Sequence, residues 1–172
     1  MKFTLALVST AALIAAAPAF AAAAPTDPQI AHIAYTAGTI DIAAGKQALA
    51  KTHNKAVRDF AQQMVRDHKA VNDKALALVK KLHVTPQDNP TSQGLSKAAA
   101  AESAKLAKLS GAAFDREYVN NEVAYHKTVN GALATVLIPN AKNGELKSLL
   151  ETGLTLFKEH QAHAEQVAKG LK

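Results

Sequence analysis

Four long segments of this chain place apolar residues at three-four spacing, and none shows the strict alternation that a half-buried strand requires. The expectation is therefore an all-α protein. Asp27-Pro28 read as a cap followed by proline at the first helical position. They open a helix with Ile30, Ile33, Ala37, Ile40 and Ala44 inward, ending near Thr52. Asn54 can cap the second helix, whose stripe runs Val57, Phe60, Ala61, Met64, His68, Val71, Ala75, Leu78 and Leu82. The run from Thr85 to Gly94, TPQDNPTSQG, reads as a loop because two prolines and several turn formers interrupt it, and Ser96 to Leu109 reads as a short helix. Beyond Ser110-Gly111, a third long helix carries Asp115, Val119, Glu122, His126, Val129, Leu133 and Val136 on one face, with Phe114, Tyr118 and Tyr125 beside it, and Pro139-Asn140 stops it. Asn143 starts the last, with Leu146, Leu149, Leu150, Gly153, Leu156, Phe157, His160, Ala164, Val167 and Leu171 inward. Very short links make neighbours antiparallel, so the simplest arrangement is an up-down four-helix bundle with one additional short helix.

The N-terminus reads differently. Lys2, an apolar run from Phe3 to Ala17 and the break at Pro18 make a secretory signal, and Ala19-Phe20-Ala21 sets cleavage after Ala21. That divides the chain into a signal over 1–21, a tail over 22–27 and one helical domain over 28–172. The expected product is soluble and periplasmic after crossing the inner membrane, with attachment to the outer membrane left open. The chain contains no Cys, which excludes a lipobox anchor, disulfides and thiolate ligands.

With 20 Lys and Arg against 14 Asp and Glu the chain is basic, but the lysines are scattered among Ala and Glu, as on a solvated helix surface. Weak contact with an anionic envelope surface and homo-oligomer formation are both compatible with it. Nucleic acid is not an expected partner, since aromatic residues are few and no binding motif occurs. A Cys nucleophile, a phosphate-cradling glycine loop, a nucleophile elbow and a His-Glu-x-x-His helix are all missing, so no catalytic residues are assigned.

Three of the seven histidines interrupt otherwise apolar stripes on different helices: His68, His126 and His160. An imidazole turned into a core without a partner costs roughly 1–3 kcal/mol, so each should meet a hydrogen-bond partner, a carboxylate or a metal. Each sits near the middle of its helix, as does Asp41 on the first, and at about 1.5 Å per residue all four fall within roughly one turn of a common level. Glu122 and His126 are four apart, His160 and His163 three apart, and Met64 precedes His68 by one turn; all are chelating spacings. The candidate ligands are Asp41, His68, Glu122, His126 and His160, with His163 and Met64 as further possibilities and carboxylates such as Asp67 or Glu159 behind the rings. A transition metal ion, zinc or copper before iron, suits that donor set. The competing reading is a set of core histidines satisfied by Asp41, Glu122 and the tyrosines, in a non-catalytic envelope protein with an interaction or stress-related role.

FAQQMVRDH (Phe60 to His68), FDREYVNNEVAYH (Phe114 to His126) and LKSLLETGLTLFKEHQAHAEQV (Leu146 to Val167) resemble the ferritin-like bacterial envelope proteins of domain of unknown function 4142 (DUF4142), often labelled outer membrane proteins. AGTIDIAAGKQALAKTHN is similar to that family's first helix, with Asp41 where Glu is common. The resemblance covers almost the whole chain beyond the signal. It implies a ferritin-like four-helix domain exported past the inner membrane and supplies no activity. Carboxylate-bridged di-iron bundles use Glu-x-x-His on two helices, whereas this chain has no Glu-x-x-His, which makes ferroxidase chemistry and iron storage poor expectations.

Overall fold

A computed structural model describes Ala24–Leu171. The signal over 1–21 lies outside the described residues. Helices span α1 (Asp27–Lys51), α2 (Lys55–Lys81), α3 (Pro90–Ala107), α4 (Gly111–Ala132), the three-residue α5 (Ile138–Asn140) and α6 (Gly144–Gly170), with a π-helical turn over Leu133–Leu137 between α4 and α5. Among the described residues there is no strand.

Local chemistry sets the boundaries. Asn54 Oδ1 accepts from the backbone N–H groups of Ala56 and Val57, and Asn143 Oδ1 from those of Glu145 and Leu146, so each asparagine satisfies two otherwise unpaired donors of a first turn. Asp27 is not the cap expected of it. Thr26 holds that position, while the Asp27 carboxylate accepts from Lys142 N and Asn143 N at 2.8 Å each and ties the start of α1 to the start of α6.

The segment read as a loop is shorter than expected. Asn89 caps α3 and Pro90 is its first helical residue, because Asn89 Oδ1 accepts from Ser92 N while Ser92 Oγ accepts from Asn89 N. The third long helix does end at Asn140, as the Pro139-Asn140 pair predicts, but it does not reach that pair as plain α-helix. The chain relaxes into a π turn just ahead of it, with Ile138 N donating to Leu133 O, and continues to Asn140. That turn leaves Leu133 and Leu137 inward and Val136 40% exposed, against the inward position expected for Val136. Ile40 and Ala44 are only partly buried, since the inward line of α1 runs through Ala37, Gly38, Asp41, Gly45 and Ala48.

Helix α3 spans the bundle. Its start lies by the start of α1, where Gln87 N donates to Pro28 O and Asn89 Nδ2 to Gln29 O. Its end lies by the end of α1, where Lys51 Nζ donates to Leu106 O and Ala107 O. Consequently α4 starts at the same end as α2 and runs the same way. The order is up-down, one crossover helix, then down-up, in place of the simple alternation expected.

Two apolar clusters fill the bundle. One holds Phe60, Met64, Phe114, Tyr118, Val119 and Ala164 towards the α1–α2 turn. The other holds Ile30, Ile33, Leu133, Leu137, Leu150 and Phe157 towards the start of α1. Along every bundle helix the polar residues fall between the two: Asp41, His68, Glu122 with His126, and His160.

Glycine fixes one close approach within α1. A Cβ at Gly38 would collide with Asn72 Oδ1, and the Asn72 amide donates to Tyr35 O and Thr39 Oγ1 across α1 and α2. Gly38→Ala is therefore expected to destabilise the protein by about 1–3 kcal/mol despite the better helix propensity of alanine. Urea denaturation measures this, and an unchanged or raised midpoint would contradict it.

Candidate metal centre

Each bundle helix contributes to one central layer: Asp41 from α1, His68 from α2, Glu122 and His126 from α4, and His160 from α6. All five are between 0 and 3% exposed. Their spacing along apolar stripes explains why they point inward, since a residue three or four places from buried neighbours shares their face. His68 lies one turn beyond Met64, and His160 lies between Phe157 and Ala164.

The layer is tight. Asp41 Oδ2 stands 3.3 Å from His68 Nε2 and 3.5 Å from His126 Nε2. Ring centroids lie 5.6 Å apart for His68 and His126, 5.2 Å for His68 and His160, and 5.5 Å for His126 and His160. One ligand atom from each of the three imidazoles lies within 4.8 Å of the others, and the same holds for Asp41, Glu122 and His126. Two donors on a tetrahedral ion with bonds of 2.0–2.1 Å are about 3.3 Å apart, close to the Asp41–His68 and Asp41–His126 separations.

Partners behind the rings fix which nitrogens face the centre. His126 Nδ1 is 3.0 Å from the Glu122 carbonyl oxygen, which only accepts, so Nδ1 carries the proton and Nε2 of the neutral ring has its lone pair free. His160 Nε2 is 3.1 Å from Asp67 Oδ2; donation to that carboxylate leaves Nδ1 as the acceptor. Arg66 Nε donates to Asp67 Oδ1 at 2.8 Å and holds the carboxylate in place. His126 Nε2, His160 Nδ1, both His68 nitrogens, both Asp41 oxygens and Glu122 Oε2 have no hydrogen-bond partner among the described residues.

Burial reverses the usual charges. Desolvation raises Asp41 to about 8 and pushes Glu122 well above the carboxylate range, the latter reinforced by Asp41. Desolvation lowers His126 to about 4 and His68 well below the ordinary imidazole value, and His126 and His160 depress His68 further. Desolvation lowers His160 too, with Asp67 working against it. Burial works upward on Asp67, but hydrogen bonds from Arg66 and His160 hold its carboxyl below its usual value. At neutral pH the metal-free layer is a set of uncharged imidazoles with protonated carboxyls.

These shifts set a stability profile for the metal-free protein. Below about pH 6.5 the unfolded chain protonates its histidines while the fold resists, so stability falls with falling pH. Above about pH 4 the unfolded chain releases carboxyl protons that Asp41 and Glu122 keep in the fold, so these two lower stability as pH rises towards the Asp41 value of about 8. The expected optimum lies near pH 6, with a gentler acid side because the two acids there oppose the three histidines. Urea denaturation in the presence of chelator checks it; stability climbing steadily from pH 6 to pH 8 would contradict it.

The remaining expected residues lie elsewhere. Met64 is packed within the apolar cluster around Phe60 and Val119. His163 Nδ1 is 2.8 Å from Gln63 Oε1 and its ring meets Phe60 edge-on, apart from the converging atoms. Glu159 is exposed, so Asp67 alone backs His160. Two participants went unnoticed in the sequence. The Glu122 backbone carbonyl fixes the His126 tautomer, and the Phe157 ring stacks on His68 at 4.5 Å and 11°. Phe157 was legible only as one more apolar position. Tyr125, expected among the partners, instead donates from Oη to Ala37 O at 2.9 Å, while Tyr118 Oη is buried without a partner.

No curated protein and no solved structure matches the chain. The model of the family described as domain of unknown function (DUF4142) does match, over residues 12–167, nearly the whole chain, and the protein belongs to that family.

Proposed function

We propose that this is an exported periplasmic protein that holds one transition metal ion, zinc or copper before iron, at the middle of its bundle. His126 through Nε2, His160 through Nδ1, His68 and Asp41 are the ligands, with Glu122 beside them. The observation that carries this reading is the pair of buried donor groups that share His126, one of His68, His126 and His160 and the other of Asp41, Glu122 and His126, rich in polar atoms with no hydrogen-bond partner among the described residues. Burying that many polar atoms unpaired is costly, and coordination satisfies them together.

Charge supports it further. A divalent ion with Asp41 and Glu122 both ionised and three neutral imidazoles sums to zero, the state a low-dielectric interior favours. The single long crossover is the connectivity of ferritin-like bundles, but only two carboxylates face the centre and Glu-x-x-His is missing, so di-iron chemistry is not part of the proposal. The layer is closed to solvent, which fits binding or stabilisation and gives a substrate no path to the ion.

The test is metal analysis of untagged protein followed by calorimetric titration at pH 7. Affinity tighter than micromolar for zinc or copper is expected, with proton release as Asp41 and Glu122 ionise. Affinity no better than micromolar for every divalent ion tried would favour the alternative of a purely structural histidine core in an envelope interaction or stress-related protein.

A further inference from the structure

The half of the bundle nearest the start of α1 encloses a cavity of about 780 Å³ that the metal layer does not use. Protein interiors keep few voids larger than a water molecule, whereas ligand pockets run from about 300 to 1,000 Å³. The sequence makes this void by placing small residues where a bundle core ordinarily carries bulk: Ala34, Ala37, Ala75, Ala132 and Gly153 line it among leucines and valines. Its floor is the Phe157 ring, the same ring that stacks on His68. Its mouth lies where the first turns of α3 face the end of α4, because Thr91, Thr128 and Val136 line the cavity and are exposed.

The lining selects the occupant. Among the described residues no charged side chain lines the cavity, so charge matching disfavours an ionic group inside it. Asn72 is bonded through its amide to Tyr35 O and Thr39 Oγ1, and Asn89 to Gln29 O and Gln87 O, so these two line the wall with their donors already used. Polar groups remain at the mouth, where Thr91 presents its hydroxyl and Thr128 Oγ1, which donates to Ala124 O, can still accept. From Leu146 to Phe157 the cavity follows α6 for on the order of 16 Å of helix rise, which makes it elongated. We propose that it binds a neutral single-chain amphiphile, with the alkyl or isoprenoid chain against the small-residue wall and an uncharged hydroxyl or carbonyl head at the mouth. This is independent of whether a metal binds.

The test is titration of 1-octanol, 1-decanol and 1-dodecanol into protein purified after expression of the full chain, read by calorimetry and by melting temperature. Saturable binding of one molecule per chain is expected, tightening roughly threefold to fourfold per added methylene until the cavity is filled. Ala34→Leu and Ala75→Leu, which fill the void, are each expected to raise the melting temperature without ligand and to weaken dodecanol binding at least tenfold. Dodecanoate and dodecyltrimethylammonium should bind far more weakly than dodecanol. Absence of saturable uptake, equal uptake of the charged probes, or uptake unchanged in both filled variants would overturn the proposal. So would loss of uptake caused by a second copy, or by the chain's own leader, occupying the cavity.

Discussion

His126→Ala is expected to lose at least a hundredfold in zinc affinity and, with it, nearly all stabilisation by the metal. Loss of a partner merely orienting a ligand typically costs 10–100-fold, and His126 supplies the ligand atom itself while joining the two overlapping donor groups. At a free zinc concentration one hundred times the wild-type dissociation constant, the wild-type protein gains about 2.7 kcal/mol and the variant at most about 0.4 kcal/mol. Without metal, the variant still loses a buried ring and its contact with the Glu122 carbonyl, a cost of about 2–4 kcal/mol. Urea denaturation with and without chelator separates the two contributions. A penalty of the same size in both conditions would leave His126 a packing residue.

Asp41→Asn is expected to change sign with the metal. In metal-free protein at pH 8 and above, the wild-type carboxyl must either hold a proton that the unfolded chain has released or ionise in a site without water. Folding therefore forfeits a free energy on the order of several kcal/mol. An amide of almost the same shape never ionises, so the variant should be the more stable of the two, increasingly so as pH rises from about 4 towards 8. With metal the ranking inverts, because the variant offers no charged oxygen to offset the ion and should bind at least tenfold more weakly. Paired denaturation curves at pH 8 measure both signs, and a variant less stable than wild type under chelator would contradict the burial account of Asp41.

The sequence carried most of this architecture for a physical reason: three-four periodicity and the Asn54 and Asn143 caps are local signals, and locality is what a single chain exposes. It misjudged places where a distant group decides. Asp27 looks like a cap until the backbone of Lys142 and Asn143 arrives from the other end of the chain to claim its carboxylate. The helix end at Pro139-Asn140 was legible, but the π turn just ahead of it was not, because it has no sequence mark of its own. The crossover role of α3 was hidden because Pro90 and Gly94 suggested loop, while its length depends on the Asn89–Ser92 cap.

Convergence of Asp41, His68, Glu122, His126 and His160 was legible because polar residues inside apolar stripes, at matching heights, have nowhere else to point. Which nitrogen of each ring faces the centre was not. That depends on the Glu122 carbonyl and the Asp67 carboxylate, one a backbone atom and the other on a neighbouring helix. The cavity was equally hidden, since Ala34, Ala37 and Ala75 look like ordinary helix formers until four helices are set around them.

The most direct measurement is anomalous diffraction at the zinc and copper edges from crystals grown with each ion. The metal reading expects one peak, about 2.0–2.1 Å from His126 Nε2 and His160 Nδ1 and bonded to His68 and Asp41. Clean maps with no peak among these side chains at saturating ion would contradict it and leave the histidines as packing.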